Sequence, residues 1–225
     1  MTPPIRLAAL DMAGTTVADD GAVEEAFQAA LDAVGLVSGD LMDDPAAYIR
    51  RTMGRSKIEV FTELLAGDRH RATRANTAFE AAFDQAVDRG EVAALPGAVD
   101  TLATLRAGGI RLCLTTGFSP ATRDRIIGAL GWEGLVDLAL SPADAGRGRP
   151  WPDMILTAVL RLRIDDVAEV AVVGDTTSDL LAGSRSGASI VAGVLTGAHS
   201  ADELAEAPHT HLLGSVAELP DLVLG

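Results

Sequence analysis

The sequence predicts an α/β protein with a doubly wound parallel Rossmann-like core and an inserted α-helical cap. Short apolar runs alternate with longer helical patterns along most of the 225 residues. One long stretch in the N-terminal half has helical patterns alone, and polar motifs follow the ends of several apolar runs. Short buried strands that alternate with helices are typical of a parallel sheet covered by helices on both faces.

Five apolar runs are the predicted strands of the core, and four longer patterns between them are the predicted helices. The strands are predicted over Ile5–Leu10, Ile110–Thr115, Leu135–Leu140, Glu169–Val173 and Ser189–Leu195. The helices are predicted over Val99–Ala107, Pro120–Leu130, Asp153–Leu162 and Ser178–Ser186. In sheets of this kind, binding sites form at the carboxyl ends of the strands.

The alternation is interrupted between Val17 and Ala93, where we find no convincing strand pattern. This stretch instead has three amphipathic helical patterns. They cover Val23–Val34, Ser56–Leu65 and Arg74–Arg89. We therefore predict a Rossmann-like core over residues 1–17 and 94–225, a helical cap over residues 18–93, and hinges near the two junctions.

The composition argues against several classes of partner. The 18 basic and 32 acidic residues give a net charge of −14, whereas nucleic-acid binding selects basic surfaces. No apolar run is long enough to cross a bilayer, and the N-terminus lacks the pattern of a signal peptide. The single cysteine, Cys113, lies in an apolar run and fits a reducing compartment. We expect a cytoplasmic protein without a nucleic-acid or membrane partner.

Two motifs bring carboxylates to the predicted site. Asp11 ends the first strand, and the following Gly14-Thr15 turn has backbone amides that can hold phosphate oxygens. Asp175 and Asp179 lie four residues apart, at the end of one strand and the start of the next helix. Three carboxylates at one edge repel each other unless a cation joins them, and oxygen ligands suit Mg²⁺. Taken singly, Asp11 could cap a turn and Asp179 could favour a helix dipole.

Two further motifs add a hydroxyl and a cation. Thr116 and Gly117 follow the second core strand, so the Thr116 hydroxyl is expected at the same edge. Arg149 precedes a helix that begins near a proline, from where it could neutralise a phosphate. Either residue alone is usually solvated, and the order of the four motifs on successive strand ends is what indicates a site.

Lys57 is the only lysine in the chain, and every other basic residue is arginine. A lysine amine can lose its proton and attack a carbonyl, which a guanidinium does not do. A preference for arginine codons could leave one solvated lysine anywhere. Its position after a Met53-Gly54 turn in the cap makes Lys57 a candidate for more than a surface charge.

These four motifs resemble those of the haloacid dehalogenase superfamily of aspartyl-nucleophile hydrolases. The resemblance implies that Asp11 is the nucleophile, that Thr116 binds phosphate and that Arg149 is a cationic clamp. It also implies Mg²⁺ as cofactor and a small phosphorylated or phosphonate substrate. The implied metal ligands are Asp11, Ala13, Asp175 and Asp179, and the implied phosphate contacts include Gly14, Thr15 and Gly117.

Within that superfamily the chain is similar to the phosphonatase branch, the phosphonoacetaldehyde hydrolases. Phosphatases of the superfamily have a second aspartate, a general acid, where this chain has Ala13. The Met53-Gly54-x-x-Lys57 spacing matches a phosphonatase cap sequence whose lysine forms a Schiff base with the substrate aldehyde. The resemblance therefore implies that Lys57 is catalytic and that Met53 and Gly54 contact the substrate.

The chemistry of a phosphorus–carbon bond explains why Ala13 and Lys57 belong together. A carbanion leaves poorly, but an iminium on the neighbouring carbon accepts its electrons, so no acid is needed at position 13. Lys57 must first be neutral, against an ordinary pKa of roughly 10.4. A closed cleft and the neighbouring Arg55 could lower that pKa.

Three positions depart from phosphonatase and leave the substrate open. Val60, Phe118 and Gly21 stand where that enzyme has a histidine, a tyrosine and a cysteine. The alternative is a phosphate monoester phosphatase of the phosphoglycolate or sugar-phosphate type. A non-catalytic binding relative is a third reading, against which the complete set of motifs argues. A homodimer through the cap is a further expectation.

Overall fold

A six-stranded parallel sheet forms the centre of the computed structural model, which describes residues 3–18, 21–36 and 45–225. The strand order is β5-β4-β1-β6-β7-β8. These strands are β1 (Leu7–Asp11), β4 (Arg111–Thr115), β5 (Leu138–Leu140), β6 (Val170–Gly174), β7 (Ile190–Val194) and β8 (His211–Leu213). Every residue of β1, β6 and β7 is buried, as expected for a parallel sheet covered on both faces. The predicted fold class is confirmed.

The predicted strands agree with the structure except at their ends and at one edge. Five predicted apolar runs became β1, β4, β5, β6 and β7, and β5 is shorter than its run, which began at Leu135. Sequence analysis gave no strand for β8. Its three residues are too few to show a periodic pattern, and the backbone hydrogen bonds that define it come from β7.

Helices cover the sheet and form the segment between β1 and β4. The core helices are Ala98–Ala107, Pro120–Leu130, Pro142–Ala145, Asp153–Leu162, Thr177–Ser186, Ala201–Ala205 and Leu219–Leu224. The cap helices are Ala22–Ala33, Pro45–Thr52, Lys57–Leu64 and Arg69–Asp88. In the described ranges, no helix combines the length and apolar character needed to cross a bilayer.

The chain leaves the core and returns to it through two paired segments. Val17–Ala18 (β2) and Ala93–Ala94 (β3) form a small antiparallel ladder, and the Leu95 amide donates to the Thr16 carbonyl at 3.0 Å. The expectation of no strand between Val17 and Ala93 was wrong at these two ends. Strands of two residues carry no alternation that a sequence could reveal. The division into core and cap stays a prediction, and its residues 19–20 and 37–44 lie outside the described ranges.

Aromatic side chains connect the cap helices to the core. Phe61 and Phe79 lie 6.0 Å apart between ring centroids within the cap. Phe83, from the long cap helix, contacts Phe118 of the core with centroids 4.5 Å apart. All four rings are buried. The cap helices therefore rest against the sheet edge at which the predicted site residues lie.

Candidate active site

Three strand ends place polar side chains at one edge of the sheet. Asp11 is the last residue of β1 and pairs in register with Thr115, the last residue of β4. Thr116 follows β4 directly, and Asp175 follows β6, which pairs with β1 on its other side. Parallel strands end at the same edge, so the register alone brings these residues together.

The carboxylates of Asp11, Asp175 and Asp179 form a buried acidic cluster. One oxygen from each of the three lies within 4.8 Å of the others. Burial raises the pKa of Asp11 well above its ordinary value; Arg149 opposes this shift, and the other two carboxylates reinforce it. Burial and the charge of Asp179 raise the pKa of Asp175 to about 6. A buried all-oxygen cluster in which burial disfavours the charged forms of Asp11 and Asp175 fits a hard divalent cation.

Backbone packing fixes the orientation of Asp175. Its carboxylate accepts a hydrogen bond from the Ala198 amide at 2.7 Å and another from the Thr15 hydroxyl at 3.3 Å. Gly14, at φ 83°, approaches so closely that an added Cβ would lie 2.5 Å from the carboxylate. An added Cβ at Gly197 would also clash with it. Of these residues, sequence analysis named Gly14 and Thr15, as phosphate contacts, and the structure places both against Asp175.

Arg149 is buried between two of the acids. One terminal nitrogen of its guanidinium donates to both Asp11 and Asp179. Its Nε is buried and has no acceptor among the described residues. A phosphoryl oxygen bound beside Asp11 would supply such an acceptor. These two features fit the predicted role of a cationic clamp.

Thr116 and Gly117 occupy the place where the cap meets the core. Thr116 is buried, and its hydroxyl oxygen accepts a hydrogen bond from the Phe118 amide at 3.3 Å. The Arg55 carbonyl of the cap lies where a Cβ of Gly117 would be. Gly54 approaches Thr176 of the core in the same way, with an added Cβ 2.8 Å from its hydroxyl. Close packing of two glycines therefore brings the cap turn onto the core.

One cavity joins the predicted residues of the core and the cap. Its wall includes Asp11, Ala13, Thr116, Gly117 and Arg149 from the core and Met53, Gly54 and Lys57 from the cap. A second opening, lined by Ala13, Gly14 and Arg50 among others, includes Asp175 and shares Met53 with the first cavity. Sequence reasoning did not identify Val23 as part of the cavity wall, because an apolar helix residue carries no chemical signal.

Lys57 is buried at the N-terminus of its helix. Its amine lies 3.9 Å from the Met53 sulfur and 5.6 Å from the centroid of the Phe79 ring. The neighbouring Arg55 guanidinium turns away to pair with Glu63 at 2.8 Å. Lys57 thus lines the cavity that contains Asp11, and its catalytic role stays a prediction.

Comparison with known proteins identifies the family. A family model for haloacid dehalogenase-like hydrolases matches residues 5–187. The chain belongs to this family. A probable phosphatase, IndB, of Dickeya dadantii is 31% identical over 216 residues, which cover 95% of this chain and 91% of that protein. A phosphonoacetaldehyde hydrolase of Pseudomonas entomophila is 32% identical over 155 residues, 58% of this chain. That match spans 56% of the phosphonoacetaldehyde hydrolase.

Solved structures agree with this hydrolase family on the fold. A hydrolase from Pseudomonas syringae superposes with a TM-score of 0.84 at 24% identity and covers 96% of both chains. A phosphonoacetaldehyde hydrolase-like protein from Oleispira antarctica gives 0.82 at 23% identity, covering 99% of this chain and 92% of that one. At these identities the likeness shows the fold alone. The recognition of a phosphonatase-like hydrolase of this family from sequence is confirmed.

The family assignment makes the chain a hydrolase, of the phosphatase or phosphonatase-like kind. Hydrolases of this family typically use a metal ion, and the acidic cluster of Asp11, Asp175 and Asp179 is a fitting place for one. The role of each site residue, the identity of the metal and the exact substrate remain predictions.

Proposed function

We propose that this hydrolase cleaves the phosphorus–carbon bond of phosphonoacetaldehyde or a related small phosphonate, with Mg²⁺ and an aspartyl-phosphate intermediate. The supporting observation is that Lys57 of the cap and Asp11 of the core line one cavity. Ala13, which lines the same cavity, offers no acid for an alkoxide leaving group. An amine opposite a nucleophile, without a general acid, favours carbonyl chemistry over ester hydrolysis.

The core residues act on the phosphoryl group. Asp11 attacks phosphorus, and the Arg149 guanidinium beside it neutralises charge on the transferring oxygens. The Thr116 hydroxyl and the Gly117 backbone bind the remaining oxygens. Asp11, Asp175, Asp179 and the Ala13 backbone carbonyl would hold Mg²⁺, which supplies further charge neutralisation when bound. Water then hydrolyses the aspartyl phosphate and restores Asp11.

Lys57 acts on the other half of the substrate. The neutral amine adds to the aldehyde carbon, and the adduct takes up a proton from solvent and loses water to give a protonated imine. When Asp11 takes the phosphorus, the electron pair of the phosphorus–carbon bond moves into the imine and forms an enamine. Protonation of the enamine carbon and addition of water release the aldehyde and return the Lys57 amine. Met53 and Val23 form an apolar part of the cavity wall around these steps.

A trapping experiment tests this proposal. Wild-type protein incubated with phosphonoacetaldehyde and borohydride should gain a reduced adduct, which peptide mass spectrometry locates on Lys57. Lys57→Arg keeps the positive charge but cannot form an imine, so it should lose cleavage of this substrate. Asp11→Asn is the matched control that should lose phosphate release but keep the adduct. A Lys57→Arg protein with undiminished cleavage would disprove the imine mechanism.

The second candidate is a phosphate monoester phosphatase. It is favoured by the match to the probable phosphatase IndB, which covers 95% of this chain, against 58% for the phosphonoacetaldehyde hydrolase match. In this case Lys57 would bind a negative group of the substrate and would stay protonated. Phosphate release from phosphoglycolate and from phosphonoacetaldehyde, measured side by side, separates the two. Lys57→Arg should then retain much of the activity on phosphoglycolate.

A further inference from the structure

His199 lies in the loop after β7 and joins three parts of the molecule. It is buried, with 7% of its surface exposed. Its backbone amide donates to the Asp175 carbonyl at 3.3 Å. Its imidazole Nδ1 lies 3.1 Å from the Thr177 amide, at the start of the core helix that carries Asp179. Its Nε2 lies 3.3 Å from the carbonyl of Arg50 in the cap.

These partners fix the form of the imidazole. A backbone amide only donates, so Nδ1 must accept from Thr177. A carbonyl only accepts, so Nε2 must carry the proton that is donated to Arg50. A hydrogen on Nε2 therefore satisfies both contacts of the imidazole. One side chain then connects the start of a core helix to the cap.

The Arg50 carbonyl stands at the base of the cap turn that lines the cavity. It also accepts a hydrogen bond from the Met53 amide at 3.1 Å. Met53 and Gly54 follow it in the cavity wall, and Lys57 begins the next helix. The hydrogen bond from His199 to the Arg50 carbonyl therefore holds the beginning of the turn that leads to Lys57.

The loop that carries His199 also supports the acidic cluster. The preceding Ala198 amide donates to Asp175, and the Thr196 hydroxyl donates to the Gly14 carbonyl at 2.7 Å. The position of this loop is therefore fixed by the same groups that position the predicted metal ligand. The His199 contact therefore positions the cap turn relative to Asp175 and Gly14.

We propose that His199 is a positioning residue that ties the cap turn to the acidic cluster and so places Lys57 over Asp11. The imidazole touches no reacting atom in this role and acts through the Arg50 carbonyl. The kinetic part of this inference rests on the proposed function, because its measurement needs a substrate that the enzyme cleaves. The structural part does not.

Two matched substitutions separate the halves of the imidazole. His199→Asn has an oxygen where Nδ1 stands, so it can keep the bond from Thr177, but it is too short to reach Arg50. His199→Gln has an amide nitrogen at the distance of Nε2, so it can keep the bond to the Arg50 carbonyl. A residue needed only to accept the hydrogen bond from the Thr177 amide would give the opposite order, with Asn as the better replacement.

Hydrogen–deuterium exchange of the full-length protein gives a readout that is independent of substrate. Peptides covering the helix Pro45–Thr52 and the turn after it should exchange about five-fold faster in His199→Asn, the effect of one net hydrogen bond. His199→Gln should exchange there as wild type does. The core helix Pro120–Leu130 serves as the internal reference and should not change.

Kinetics provide the second readout, from phosphate release with phosphonoacetaldehyde and with phosphoglycolate. His199→Asn should lower kcat/KM about five-fold on whichever substrate is turned over, and His199→Gln should restore it. The inference is overturned if His199→Asn matches wild type in exchange, or if His199→Gln behaves like His199→Asn. If neither substrate is turned over, the proposed function fails, and exchange alone still decides the role of His199.

Discussion

The Arg149 guanidinium donates a hydrogen bond to the Asp11 carboxylate, and both groups are almost fully buried. The same nitrogen also donates to Asp179. A buried cation held by two carboxylates is costly to remove, because the two carboxyl groups are then left in a low-dielectric site without their partner. The ion pair therefore links the stability of the protein to the arrangement of its proposed nucleophile.

Arg149→Ala is expected to lower the free energy of unfolding by about 3–5 kcal/mol in metal-free protein. Urea denaturation measures this change. The control is Arg111→Ala, which breaks an ion pair with Asp137 on a side chain that is 53% exposed. That control should cost less than about 1 kcal/mol. Equal losses for the two variants would mean that the buried pair adds nothing to stability.

The stability of the protein should depend on pH and Mg²⁺ together. Folding raises the pKa of Asp175 to about 6, so the folded state binds this proton more tightly than the unfolded chain. In metal-free protein the resulting stabilisation is complete at low pH and is lost as pH rises through about 6. Mg²⁺ must displace the proton, so the rise in Tm with Mg²⁺ should be larger at about pH 7.5 than at about pH 5.

Thermal denaturation with and without Mg²⁺ at the two pH values measures this dependence. Asp175→Asn removes one titrating group and one predicted metal ligand, so both the pH dependence and the effect of Mg²⁺ should become smaller. A Tm increase that is the same at both pH values in wild-type protein would contradict a metal site that includes Asp175.

Gly117→Ala should impair catalysis more than folding. An added methyl group would meet the Arg55 carbonyl of the cap, so the closed arrangement of cap and core is disfavoured. Misplacement of Lys57 by about 1 Å should lower kcat/KM about 10- to 100-fold, while Tm changes little. Gly134→Ala is a matched control, since nothing lies within 4 Å of the added group. A loss of Tm equal to the loss of activity would point to a folding defect instead.

Ala13→Asp should give the protein the general acid that it lacks. Position 13 lines the cavity beside Asp11, so a carboxylic acid there could protonate an alkoxide leaving group. Phosphate release from phosphoglycolate should rise by about 10²-fold over wild type. The outcome that argues against the proposed function is a wild-type protein that already hydrolyses this ester efficiently and gains nothing from the substitution.

The convergence of Asp11, Thr116 and Asp175 could be predicted from sequence because each follows a buried strand. Once the strands are parallel neighbours, their carboxyl ends must meet, whatever the loops do. Asp179 could be placed as well, since a short turn leads from Asp175 into its helix. For these residues, the local strand and helix patterns are sufficient to predict their positions at the sheet edge.

His199 and Gly197 show the opposite case. Their loop has no periodicity, and its contacts with Asp175 and Arg50 join parts of the chain far apart in sequence. A solitary histidine in a polar loop has no spacing to a partner that could be recognised. The position of Lys57 over the cavity was likewise suggested only by resemblance to a motif, because the packing of cap on core depends on long-range contacts.

We expect the paired strands β2 and β3 to guide any movement of the predicted cap. A domain joined by a single chain segment can rotate in many directions. Two hydrogen-bonded segments side by side restrict the rotation mainly to one axis, the line that joins them. Because β2 begins six residues after Asp11, where β1 ends, the pivot lies close in sequence to the proposed nucleophile. Each swing would then return Lys57 along the same arc to the same point. The hinge formed by β2 and β3 would then bring Lys57 back to the same position relative to Asp11 each time the cap closes.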